Sequence, residues 1–206
     1  KDSGIDWIGQ IPAHWEVYPL KWICQIQSGQ VDPIAPEFKE LPLVAPDHIS
    51  SGSGHISGVT SAEEQGAISG KYLCHKDFVL YSKIRPNLRK VAYSDTTCLC
   101  SADVYGLNAY AILYPRFLFY YLLGKGFSSY AELNSMRVAM PKLNREVLGD
   151  ARIAIPDINE QKEIVQYING LLEDISNGQS KMVLSIELLQ EYRSALITSS
   201  VTHENN

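Results

Sequence analysis

After Pro156 the sequence carries no proline, and within that stretch Ile168, Ile175, Met182, Leu189 and Leu196 fall seven residues apart. Five successive heptad positions predict one long α-helix with a coiled-coil seam. Leu171, Leu172, Ile186 and Tyr192 occupy neighbouring positions on the same side. Pro156 is poor inside a helix but well placed just before one. Asp157 or Asn159 can cap the first turn, and Glu160 and Glu163 favour it electrostatically. A helix of about 44 residues would run ~66 Å at 1.5 Å per residue. The seam is imperfect. Gly178 costs about 1 kcal/mol relative to alanine, which a kink or a close helix–helix approach would explain. Such a helix is too long to bury its whole stripe against a domain of ordinary size, so much of the stripe needs a partner. The alternative is a helix lying along its own domain.

Residues 1–155 have a different grammar. Gly, Pro and Ser recur every few residues and the apolar runs are short. Leu41–Ala45, Phe78–Tyr81, Lys90–Tyr93, Cys98–Cys100 and Arg152–Ile155 predict strands between turns. Pro115–Leu123 predicts a helix opened by proline and stopped by Gly124. Gly52 to Gly58 is too glycine-rich for an element interior and reads as a mobile loop. The expected architecture is α/β (α+β): a globular domain over 1–155 on a curled, mixed sheet, then one long helix over 156–206.

The net charge is −5, which taken whole argues weakly against a polyanionic ligand. Its distribution does not. Residues 1–64 hold three basic and nine acidic groups, residues 65–156 twelve and six, and residues 157–206 three and eight. A basic middle between acidic flanks suits a local polyanion site, although a mixed solvated surface gives the same count. Cys24, Cys74, Cys98 and Cys100 lack the spacing of a metal knuckle and read as buried free thiols in a reducing compartment, hence the cytoplasm. No stretch approaches a membrane span, and Lys1–Gln10 lacks the apolar core of a secretion signal.

Catalytic signatures are missing: no phosphate-binding loop, no dinucleotide fingerprint, no nucleophile elbow, no paired-histidine zinc helix. Pro156-Asp157 with Glu160-x-Lys162 superficially resembles a metal-dependent nuclease signature, but those acids open one helix, where they serve as caps. The chain is therefore expected to be no enzyme and to hold no metal or cofactor.

The informative stretch is Lys71 to Lys90. It holds six basic residues (Lys71, Lys76, Lys83, Arg85, Arg89, Lys90) and one acid, Asp77, with Tyr72, Phe78 and Tyr81 interleaved. An apolar strand delivers Ser82, Lys83 and Arg85 into a turn closed by Pro86. Arginine supplies planar bidentate hydrogen bonds to guanine or phosphate, and lysine a mobile point charge. Short basic loops of this kind suit both phosphate anchoring and groove readout, so the charge pattern alone makes a nucleic acid one candidate ligand.

The segment Val79-Leu-Tyr-Ser-Lys-Ile-Arg-Pro-Asn-Leu-Arg-Lys-Val91, led by Asp77, resembles a signature of Type I restriction-modification specificity subunits. Ser3-Gly-Ile-Asp-Trp-Ile-Gly-Gln-Ile-Pro-Ala-His-Trp-Glu-Val17 resembles that family's domain opening, and Ile155-Pro-Asp-Ile-Asn-Glu-Gln-Lys-Glu-Ile164 the start of its spacer helix. Leu188–Ser200 resembles that helix's end. The matched segments, at the domain opening, the basic stretch and the long helix, stand in order and span nearly the whole chain. The resemblance implies a non-catalytic target-recognition domain that reads one half of a bipartite site in double-stranded DNA. It implies a spacer helix that docks methyltransferase subunits, and restriction subunits through the complex. S-adenosylmethionine, ATP and Mg²⁺ are then expected on those partners. On that resemblance Lys83, Arg85, Arg89 and Lys90 are the candidate DNA contacts, with Lys71 and Lys76 as weaker phosphate contacts. Gly52, His55 and Ser57 are candidates for a base-reading loop, because glycine lets the backbone approach a groove. Arg137 lies in a segment resembling a DNA-facing stretch of the family, with a structural salt bridge as the alternative. Members usually carry two recognition domains and two helices; only one copy is found here. It is expected to be one repeat, and a natural half-subunit would pair as a homodimer through Ile168, Leu171, Ile175, Met182, Ile186, Leu189 and Leu196. The competing readings are a protein-binding adaptor that ignores DNA, and an enzyme fragment with a metal or methyl-donor site.

Overall fold

The computed structural model describes residues 1–135 and 141–203; Arg137 lies outside the described residues. The chain divides into two units, Lys1–Glu163 and Ile164–Asn206.

In chain order the first unit contains β1 (Glu16–Pro19), α1 (Leu20–Ile23), β2 (Cys24–Ile26), β3 (Gln30–Val31), β4 (Leu43–Val44), β5 (Lys71–Cys74) and β6 (Val79–Ser82). There follow β7 (Val91–Tyr93), β8 (Cys98–Cys100), β9 (Val104–Ala109), α2 (Pro115–Leu123), α3 (Lys125–Leu133), α4 (Arg145–Asp150) and β10 (Arg152–Ile155). Single 3₁₀ turns occupy Pro46–His48 and Pro86–Leu88. The last helix, α5, spans Ile158–His203 and begins in this unit.

Among the described residues the strands form three sheets. β2-β9-β6-β7 is antiparallel throughout. β3-β5-β8-β4 is mixed, because β4 runs parallel to β8. β1 and β10 form an antiparallel pair that brings the two ends of the unit together, Val17 facing Ala154. The expected mixed architecture is what the chain adopts.

Strand β6 shows how the layers are held. Its four residues are all buried, and a strand covered on both faces reads as an unbroken apolar run. Side chains alternate across a sheet. Leu80 packs with Cys74, Cys98, Cys100, Ala92 and Val104 in a core between the two four-stranded sheets. Its neighbour Tyr81 meets Phe127 of α3 edge-on, ring centroids 5.8 Å apart. Helices α2 and α3 therefore cover one face of β2-β9-β6-β7, and β3-β5-β8-β4 covers the other. The four cysteines are free and buried, as their spacing suggested.

Cys98–Cys100, Arg152–Ile155 and Pro115–Leu123 form the elements expected of them. The expected strand at Leu41–Ala45 shrinks to two residues. Gly124 ends α2 as expected, its backbone extended (φ −63°, ψ 149°) and its N–H bonded to Tyr120 and Tyr121 O, and a second helix, α3, starts at the next residue.

Among the two capping candidates Asp157 does the work. Its Oδ1 accepts the N–H groups of Asn159 (2.8 Å) and Glu160 (3.2 Å). From there α5 continues for 46 residues, through both Gly170 and Gly178, about 69 Å at the standard rise. Along it Leu171, Ile175, Met182, Ile186, Leu189 and Leu196 are exposed, between 45% and 68%, and Ile168 is half-buried. No helix among the described residues is long and apolar enough to cross a membrane.

Candidate nucleic-acid interface

Strands β6 and β7 pair as a hairpin, with Tyr81 facing Val91 and the Ser82 N–H donating to Lys90 O (3.0 Å). The basic segment 83–90 is the loop of that hairpin. At its centre Pro86–Leu88 makes one 3₁₀ turn, and the residues on either side, Arg85 (φ 49°, ψ 61°) and Arg89 (φ 47°, ψ 48°), are both left-handed. A side chain in that region costs roughly 1–2 kcal/mol, so the surroundings must hold it there.

They do. Arg85 N–H donates to Pro141 O (2.9 Å) and Arg89 N–H to Pro86 O (3.0 Å). Leu88 N–H closes the turn on Arg85 O (2.9 Å). Pro86 is buried, and its carbonyl takes a long hydrogen bond from Ser128 of α3 (3.5 Å).

Two flanking lysines are also committed to the loop. Lys83 Nζ donates to Ala102 O (2.5 Å) and lies 3.4 Å from Asp103. Lys90 Nζ donates to Pro46 O (2.7 Å) with Asp47 at 3.9 Å. Their side chains are 21% and 16% exposed. Lys71 is buried at the start of β5, its ammonium held by the carbonyl (2.6 Å) and hydroxyl (2.8 Å) of Ser69, and burial lowers its pKa. Lys76, Arg85 and Asn87 are exposed.

The glycine-rich segment is more built than a mobile tether. Ile49 and Ile56 form an antiparallel bridge. Ser50 N–H donates to His55 O (2.9 Å) and Ser57 N–H to His48 O (3.0 Å). At its tip Gly52 N–H donates to Arg89 O (3.2 Å). A Cβ on Gly52 would stand 2.9 Å from the Arg89 guanidinium, and the residue has φ +70°. Gly54 (φ +75°) is packed tighter still, its missing Cβ 2.4 Å from the Phe119 ring. Both glycines have positive φ, and the Cβ each lacks would meet a side chain, the Arg89 guanidinium or the Phe119 ring. The structure thus brings together two segments separate in sequence, 50–57 and 83–90, and leaves His55, Ser57, Arg85 and Asn87 exposed on them.

A groove of about 520 Å³ lies elsewhere on the first unit, lined by Lys21, Cys24, Tyr110 and Arg145 among others. There the Arg145 guanidinium is occupied by Ile26 O (2.8 Å) and Gln27 O (2.7 Å). Among the described residues no group of three or more His, Cys, Asp or Glu is placed to hold a metal ion.

Comparison with known proteins places the chain. It is 32% identical over 161 residues to the Type I restriction enzyme EcoDI specificity subunit of Escherichia coli, a match covering 78% of this chain and 35% of that protein. The chain thus spans about a third of that relative's length. The fold resembles the HsdS subunit of Thermoanaerobacter tengcongensis (TM-score 0.59, 18% identity, 82% of this chain and 40% of that one). It also resembles the Type-I restriction-modification system S subunit of M. genitalium (TM-score 0.55, 15% identity, 84% and 43%). Residues 12–184 match the family described as the Type I restriction modification DNA specificity domain, and the chain belongs to that family.

Proposed function

We propose that residues 1–155 read one half of a bipartite site in double-stranded DNA, and that residues 156–206 form the spacer and docking helix of a Type I restriction-modification complex. The observation that supports this most is the junction of Gly52 with Arg89, which joins a glycine-rich loop and an arginine-bearing turn into one exposed surface. Exposed loops that carry arginine and polar side chains suit both phosphate anchoring and base-edge contact.

Within that surface, Arg85 and Arg89 are assigned to DNA, with His55, Ser57 and the backbone of Gly52 as groove contacts. Lys76 touches phosphate. Lys83, Lys90 and Lys71 hold the loops with ammonium groups already bonded to carbonyls, and meet phosphate only if DNA displaces those bonds. The chain performs no catalytic step. Methyl transfer from S-adenosylmethionine and ATP- and Mg²⁺-dependent restriction belong to the methyltransferase and restriction subunits. The exposed stripe of α5 docks the methyltransferase subunit and pairs with a second copy of the chain, giving a symmetric reader of two half-sites in the cytoplasm.

The stripe by itself also favours an adaptor that binds only protein. Duplex binding by the chain complexed with its methyltransferase subunit, measured from 50 to 200 mM salt, separates the two. A reader using several phosphate contacts loses orders of magnitude in affinity over that range. An adaptor adds no binding to that of the methyltransferase alone.

A further inference from the structure

Asn87 lies at the middle of the Pro86–Leu88 turn, between the two left-handed arginines. Its neighbours in the turn face inward, Pro86 buried and Leu88 half-buried, while Asn87 is exposed. Among the described residues its side chain makes no hydrogen bond, although Asn carries two donors and an acceptor with two lone pairs. The backbone beneath it is fixed from both ends: Arg85 N–H on Pro141 O, Arg89 N–H on Pro86 O, and Arg89 O bound by Gly52 N–H. Lys83 and Lys90 tie down the two legs of the loop. A side chain with unspent hydrogen-bonding capacity, exposed on an arginine-flanked turn whose backbone is hydrogen-bonded at both ends, is preorganised for recognition, since little is lost in ordering it.

We propose that Asn87 is a specificity-determining residue that recognises adenine in the major groove. The inference rests on the DNA-reading function proposed above and adds to it the base that one residue reads. The chemistry selects the base. A carboxamide presents one donor and one acceptor in a plane, matching the N7 acceptor and N6 donor of adenine, whereas guanine offers two acceptors to an arginine fork. Arg85 and Arg89 flank the turn, and Asn87 between them reads one A·T pair.

The test uses the chain assembled with its methyltransferase subunit. A duplex selected by the wild-type complex from a random pool is remade as a panel of single-base-pair substitutions, and affinities are measured for wild type, Asn87→Ala and Asn87→Asp. The wild type is expected to lose roughly 5- to 100-fold when one particular A·T pair is replaced. Asn87→Ala becomes indifferent at that pair alone and keeps the wild-type salt dependence. Asn87→Asp shifts its preference there towards cytosine, whose N4 amine a carboxylate accepts. That shift is one a merely structural role would not produce. Wild-type discrimination at every pair in both variants overturns the proposal, as does a uniform loss across the panel. If the wild type itself selects no motif, the DNA-reading function fails and this assignment falls with it.

Discussion

The side-chain carbonyl of Gln161 accepts the backbone N–H of Tyr114 at 2.7 Å. From the same side chain Nε2 donates to Ile112 O and Pro156 O, each at 2.9 Å. Gln161 is fully buried. One residue in the second turn of α5 thus satisfies three backbone groups, at the residue preceding α2 and at the entry to α5 itself. Beside it Glu160 accepts from Trp15 Nε1 (3.1 Å) and pairs with His14 (2.7 Å). The first turns of the long helix are built into the globular unit.

Gln161→Leu, nearly equal in volume, leaves three backbone groups unsatisfied. Each buried unpaired group costs about 1–3 kcal/mol, and partial access to water reduces the sum. A loss of about 3 kcal/mol is expected as a lower urea midpoint at constant m-value. A midpoint within error of wild type would show that water reaches these groups.

Arg85 and Lys76, the two exposed basic residues of the 71–90 stretch, are assigned different contacts. Arg85→Ala should weaken binding to a selected duplex by about 1–3 kcal/mol, with the loss concentrated at one base position. Lys76→Ala should weaken binding to all duplexes alike and lower the slope of log affinity against log salt by about one. Equilibrium titrations at three salt concentrations distinguish the two patterns. Identical behaviour of the two variants would contradict the division.

Gly54 and Gly58 both have positive φ, but only Gly54 is crowded. Gly54→Ala sets a methyl 2.4 Å from Phe119 and 3.1 Å from Val91 O, whereas at Gly58 nothing lies within 4 Å. Gly58→Ala should cost about 1–2 kcal/mol from backbone strain. Gly54→Ala should cost more, because the Phe119 ring lies among buried neighbours. Thermal melts of the pair decide it; equal melting temperatures would mean that the loop lifts off α2 at no cost.

The same crowding explains what the sequence hid. Cys98–Cys100 and Pro115–Leu123 were legible because each is an apolar run bounded by turn residues. Strand β9 was not, since Gly106 interrupts it. That glycine is there because a Cβ would stand 2.4 Å from Cys74 Sγ. Helix α3 was hidden by Gly124 and Gly126, the second pressed against the Trp7 ring at 3.0 Å. At the interface the basic cluster and the glycine loop were both readable, but not their junction. The bonding of Lys83 to Ala102 and of Lys90 to Pro46 was hidden too, because both partners are backbone carbonyls remote in sequence. Nothing in the local pattern marks which cation is spent.

Alkaline pH should unfold the first unit through its phenols. Tyr93 is pushed up to about 12, by burial first and then by the hydrogen bond it donates to Asp77. Burial raises Tyr81 and Tyr121 as well. The protonated phenols are favoured in the folded state, while those of the unfolded chain ionise near pH ~10. Their contribution is therefore complete below about pH 10 and is lost as pH rises towards 12. Phenolate absorbance and far-UV circular dichroism should change together in that window. Full phenolate formation near pH 10 with the fold intact would contradict it.

Pairing through the helix stripe predicts a mass twice that of the chain by light scattering. Ile175→Glu with Leu189→Glu, at positions 57% and 67% exposed in the single chain, should halve that mass without lowering the melting temperature of the first unit. An unchanged mass would remove the homodimer from the account.

Selection from a random duplex pool, with the chain bound to its methyltransferase subunit and the recovered duplexes sequenced, tests the central claim most directly. The account predicts a short bipartite motif with a fixed gap, palindromic if two copies of the chain pair. A complex that stays intact and enriches no motif would contradict it, leaving a scaffold that binds protein through its helix and does not read DNA.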